Sequence, residues 1–135
     1  MAGGVAVRTL QARNRSRGIS AEYRGVKWLR DHGLAAVRVP MSGAGAMVGD
    51  IRAGAVEPDR LVIDWKHTEQ KGFRVTEVLM EKVSGWGRGL GERIGLLVVQ
   101  FGGSRRRWVV MDAEDLVVLL KEAKEARTGR GEVAS

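Results

Sequence analysis

The chain has no cysteine, two prolines and two histidines among its 135 residues. Without thiols there are no disulfides, no thiolate nucleophile and no cysteine-ligated zinc, and His32 and His67 are too few and too separated for a typical zinc site. Any metal chemistry therefore falls to oxygen ligands. No run approaches the roughly 18 apolar residues of a membrane helix, and the first residues lack the apolar core of a signal peptide, so no membrane partner and an intracellular location are expected. Acidic residues are in deficit, 16 against 23 Lys and Arg, for a net charge of +7. That balance favours a polyanionic partner, although charge alone also fits a soluble protein without one. The length has room for one domain with a modest core.

The richest chemistry lies in Gly49-Asp50-Ile51 and, after a short loop, Leu61-Val62-Ile63-Asp64-Trp65-Lys66. If residues 61–67 form a strand, Val62, Asp64 and Lys66 share one face and Ile63 and Trp65 the other. Asp50 needs only the return of a hairpin to join Asp64. Two adjacent carboxylates suit a hard divalent cation such as Mg²⁺, which takes oxygen ligands and keeps several waters. A lysine beside it could orient or deprotonate an attacking water, or offset charge growing on a phosphate. The plain alternative is an ordinary ion pair between Asp64 and Lys66 at a strand end.

Residues 1–17 carry Arg8, Arg13, Arg15 and Arg17 with no acid, either a flexible arm that gains phosphate contacts or a solubilising tail. Ile19 to His32 read as a helix with Ser20 as N-cap, Ile19, Tyr23, Val26 and Leu29 on the packed face, and Gly33 as terminator. Glu22 is then a charge near the helix N-terminus or a residue turned to the cleft. Leu34 to Val39 form a strand in which Arg38 could face phosphate, ended by Pro40. In the small-residue loop that follows, Ser42 either caps a turn or donates to a phosphate. Residues 50–54 and 61–67 make a hairpin, Gly72 to Val75 a further short strand, and Thr76 caps a helix through Trp86. The glycine run from Gly85 to Gly91 then breaks regularity, with Trp86 and Arg88 covering the core or meeting DNA or a second subunit.

Gly95 to Phe101, the most apolar strand, is expected at the centre of the sheet. Arg105, Arg106 and Arg107 form a phosphate patch or a wet charged turn, before a strand from Trp108 to Met111. Asp112 caps the last helix, with Asp115 in the capping-box position and Leu116, Val117, Leu119 and Leu120 against the sheet. Beyond Glu125 the apolar stripe is lost and the chain should fray. The expected domains are thus a basic arm (1–17), one globular unit (18–125) and a flexible tail (126–135). The expected fold is an α/β sandwich with a mixed central sheet flanked by helices.

From Gly18 to about Leu120 the chain resembles the archaeal-type Holliday junction resolvases, also found in phages, within the PD-(D/E)xK nuclease superfamily. The matching residues are Glu22, the run Arg38-Val39-Pro40-Met41-Ser42-Gly43-Ala44-Gly45, Asp50, and Asp64-Trp65-Lys66. The chain departs from the pattern at Gly49, where the superfamily has proline, and at Asp64, where many members have the longer Glu. The resemblance implies a restriction-endonuclease-like core and a prokaryotic or phage source. It also implies Mg²⁺, with Mn²⁺ as a plausible substitute, held by Asp50, Asp64 and Glu22, while Lys66 is catalytic. With strand alternation it makes the Trp65 carbonyl a further candidate ligand. The expected activity is paired cleavage of four-way DNA junctions by a homodimer, for which Trp86, Phe101 and Trp108 are candidate contacts. The alternatives are another nuclease on duplex or flap DNA, and a non-catalytic nucleic-acid-binding protein.

Overall fold

The computed structural model describes residues 18–40, 49–88 and 92–134, with side chains through residue 129. A helix over residues 18–31, α1, precedes strands β1 (Ala35–Arg38), β2 (Ile51–Gly54) and β3 (Leu61–Thr68). Helix α2 (Glu77–Arg88), strands β4 (Ile94–Phe101) and β5 (Arg107–Val110) and helix α3 (Ala113–Ala134) complete the order. The five strands lie in chain order in one sheet. Only β3 and β4 run parallel.

That single parallel pair explains the segment after β3. A parallel neighbour requires a crossover, and β3 already has β2 on its other side, so residues 72–76 are irregular and form no strand. They lead into α2, where the Leu79 N–H donates to Thr76 Oγ1 at 3.1 Å as an N-cap bond. The helix runs past Trp86 to Arg88, through two glycines expected to break it. Gly87 is where the helix touches the sheet: a Cβ there would lie 2.5 Å from the Arg93 carbonyl and 2.6 Å from the Gly95 N. Gly95 reciprocates, since its Cβ would collide with the Val83 carbonyl.

Helix α1 covers the opposite face. Its buried residues are Ala21, Gly25, Val26 and Leu29, which join Ala36, Ile51, Ala53, Ile63, Trp65, Leu96 and Val98 in the main core. Tyr23 is not part of this face, being 60% exposed; the guanidinium of Arg38 lies 5.1 Å from its ring. The helix comes down on the Trp65 indole, and only small residues fit at the contact. Ser20 lies inside the helix and does not cap it. The C-terminal end follows the expectation: Gly33 has φ +83°, its N–H bonds to the Arg30 carbonyl at 2.9 Å, and the Leu34 N–H reaches Leu29 at 3.1 Å, the Schellman arrangement.

β4 is buried along most of its length but is the fourth strand, and β3 is the middle one. Asp112 Oδ1 accepts the Glu114 N–H at 2.8 Å, capping α3. That helix does not pack onto the sheet as its stripe suggested: Leu116, Val117 and Leu120 are exposed, and of the stripe only Leu119 is half-buried. Ion pairs from Arg60 to Glu122 and from Arg88 to Asp112 tie it to the body. It is helical beyond Glu125, to Ala134; Lys, Glu, Ala and Arg between 121 and 127 are strong helix formers.

Candidate active site

β2 and β3 pair with Ile51 opposite Ile63 and Arg52 opposite Val62. The ladder continues one step past β2, as the Asp50 N–H donates to the Ile63 carbonyl at 2.8 Å. The next donor on that side of β3, the Trp65 N–H, bonds to the carboxylate Oδ2 of Asp50 at 2.8 Å. Asp50 thus ends the hairpin with a side chain where a backbone carbonyl would otherwise stand. A strand residue points its N–H and C=O to the same side, so the Trp65 carbonyl also faces the Asp50 side, beyond the end of β2. Gly49, with φ +83°, brings the chain in against Val62; a Cβ would come within 2.7 Å of that side chain.

Asp64 Oδ1 lies 3.2 Å from Lys66 Nζ, and the acid is 6% exposed where the lysine is 44% exposed. The strand therefore presents a buried carboxylate and an accessible ammonium on one face. Burial, opposed by the Trp65 N–H, pushes the Asp50 carboxyl up to about 7, and the Asp64 carboxyl within hydrogen-bonding reach and the charge of Glu22 add to the rise. Glu22 contributes its field, but its Oε2 accepts the Arg38 Nε–H at 2.7 Å in a half-buried pair. Arg38 accordingly pairs with an acid of its own chain. Among the described residues no three acidic or histidine side chains form a ready metal cluster. The Asp50–Asp64 pair nevertheless fits a hard cation: crowded, partly desolvated carboxylates beside a carbonyl are the donor set Mg²⁺ accepts with waters completing its shell.

Trp65 has close neighbours on α1 and β5. A Cβ on Gly25 would sit 2.8 Å from its ring, while the Arg107 guanidinium lies 4.9 Å from the Trp28 ring and 6.0 Å from that of Trp65. Arg107 is thus stacked on aromatics, whereas Arg105 and Arg106 stay exposed. Gly25 and Arg52, a guanidinium buried in β2, were not legible in the sequence. Trp108 is exposed; Trp86, with Lys82 Nζ 5.5 Å from its ring, and Phe101 are half-buried. His67 stands 3.8 Å from Glu69. Arg8, Arg13, Arg15, Arg17 and Ser42 lie outside the described residues.

No curated protein matches this chain. Among solved structures, the Holliday junction resolvase Hjc of Archaeoglobus fulgidus, an archaeal hyperthermophile, superposes with a TM-score of 0.53 over 67% of this chain and 72% of that one, at 22% identity. That likeness shows the fold, restriction-endonuclease-like. A model of the archaeal Holliday junction resolvase (Hjc) family matches residues 13–126. With most of its length so matched, the chain belongs to the archaeal Holliday junction resolvase family.

Proposed function

We propose that this protein is a metal-dependent endonuclease that resolves four-way DNA junctions. The observation that carries the reading is the convergence of Asp50, Asp64 and Lys66 at the end of the β2–β3 hairpin. Asp50, Asp64 and the Trp65 carbonyl would hold Mg²⁺, or Mn²⁺ in its place, with Glu22 joining if it leaves Arg38. The cation would supply charge neutralisation and an activated water. Within the protein's own chemistry, Lys66 reaches solvent from a buried acid and can stabilise negative charge developing on a phosphate. Arg105 and Arg106, with the arginines of residues 1–17, would supply phosphate contacts that weaken with salt.

A purely DNA-binding protein has no use for two carboxylates crowded until one is pushed to about 7. Resolution into two duplexes takes two nicks, and a homodimer would bring a second copy of the site. Leu116, Val117 and Leu120 of α3 and Trp108 of β5 are among the exposed apolar residues available for it. A DNA substrate would place it inside the cell, and the family resemblance supports a prokaryotic or phage setting. The test is a labelled four-way junction beside a linear duplex of the same sequence, each with Mg²⁺ and with EDTA. Cleavage of the junction alone, dependent on the cation and abolished by Asp50→Ala or Asp64→Ala, is expected. Equal cutting of the duplex would favour a general nuclease, and binding without cutting a non-catalytic protein.

A further inference from the structure

β5 carries a charged side chain that this chemistry leaves unused. Arg107 opens the strand opposite Gln100 of β4, and it is half-buried where Arg105 and Arg106 before it are exposed. Its guanidinium lies 4.9 Å from the Trp28 ring and 6.0 Å from that of Trp65, within the reach over which a cation is drawn to an indole face. β3 is two strands away from β5, about 10 Å, so the side chain spans β4 to come to Trp65. Nη1 donates to the Arg105 carbonyl at 3.2 Å, which fastens the guanidinium to its own turn. The Nε is enclosed without a hydrogen-bond partner. Among the described residues no acid forms an ion pair with Arg107, since the pairs there use Lys27, Arg38, Arg60, Lys66, His67 and Arg88.

Withdrawing a guanidinium from water without an acid costs solvation, and the contacts that offset it here are the two indoles. One of them bears on the site. The Trp65 N–H holds the Asp50 carboxylate at 2.8 Å, so a tilt of residue 65 moves the group that ends the hairpin. On the α1 side the indole lies against Gly25, which offers no side chain to grip it; on the β5 side its neighbour is Arg107. We propose that Arg107 is a positioning residue that, through its contacts with Trp28 and Trp65, keeps the Trp65 N–H on the Asp50 carboxylate. It acts through Trp65 and not on a phosphate. That Arg107 steadies Trp65 stands on these contacts; that the reaction depends on it rests on the nuclease reading.

Amide hydrogen exchange in EDTA reads this bond, with Asp50→Ala marking the rate of an unbonded Trp65 amide. Arg107→Met, which keeps the bulk without the charge, should speed exchange at Trp65 about tenfold and leave that of Leu97 in β4 unchanged. Arg106→Gln, a matched loss of one charge in the same turn, should change neither. For a four-way junction, kcat of Arg107→Met should fall about tenfold with KM within about twofold, whereas loss of a phosphate ligand would raise KM. A Trp65 amide that exchanges at the wild-type rate in Arg107→Met, or that is indifferent to Asp50→Ala, overturns the proposal. So does equal acceleration at Trp65 and Leu97, the mark of packing alone, or a raised KM at unchanged kcat. If Arg107→Met does not fold, Trp28→Leu decides, since it removes the ring that seats the guanidinium, and an unchanged Trp65 rate again overturns it. Selective acceleration at Trp65 while the wild type cuts no junction would keep Arg107 as the support of Trp65 and remove the nuclease reading instead.

Discussion

At the scale of single residues, Asp50 sets a pH dependence whose sign can be worked out. Its carboxyl is raised from 3.8 to about 7, chiefly by burial, so the folded state binds a proton that the unfolded chain has released. Stability of the metal-free protein must then fall as pH climbs through this interval and level off above it. Asp50→Asn keeps an acceptor for the Trp65 N–H without the charge. In EDTA at about pH 8 it should melt above the wild type, with the gap closing towards about pH 4; a constant gap would show that Asp50 is not the strained group. Gly25 offers a second test. Alanine there must displace the Trp65 indole, and with it the strand whose N–H holds Asp50. Cleavage should drop roughly 10- to 100-fold while junction affinity changes little, because small misplacements cost rate before binding. Parallel losses of both would make Gly25 a packing residue only.

Among the elements, the β2–β3 hairpin was legible because alternation has a period of two and leaves no choice of face once the strand is assigned. Asp64 and Lys66 together, with Trp65 opposite, follow from that alone. The helices were harder to read. An apolar stripe shows which side of a helix avoids water but not what covers it, so the Leu116–Leu120 stripe of α3 was assigned to a sheet that it does not reach. On α1 the error ran the other way: Tyr23 fitted the period, but the close approach at Trp65 selects Ala21 and Gly25. The approach of α2 to β4 gives a further prediction. Gly95→Ala would force the Cβ against the Val83 carbonyl, a backbone atom that cannot rotate aside. It should cost about 3 kcal/mol, measured as a lowered urea midpoint, as overpacking against main chain does. A loss under about 0.5 kcal/mol would show that the helix can shift freely.

For the molecule as a whole, the exposed face of α3 bears on assembly. If a second copy covers it, Val117→Glu and Leu120→Glu, tested separately, should shift sedimentation from dimer to monomer without lowering the subunit's melting temperature, since neither residue supports the monomer's own core. A dimer untouched by both changes would place the contact elsewhere. β5 raises a related matter. It is the last strand of the sheet, four residues long, with Trp108 and Val109 exposed. Among the described residues no strand pairs with its outer side, so its outward amides have no strand partner there and offer a template to any extended chain. Their deuterium uptake therefore reports on what covers this edge. Uptake that slows as protein concentration rises would mean that self-association closes the sheet, while uptake fast at every concentration would leave β5 as the place where misassembly starts.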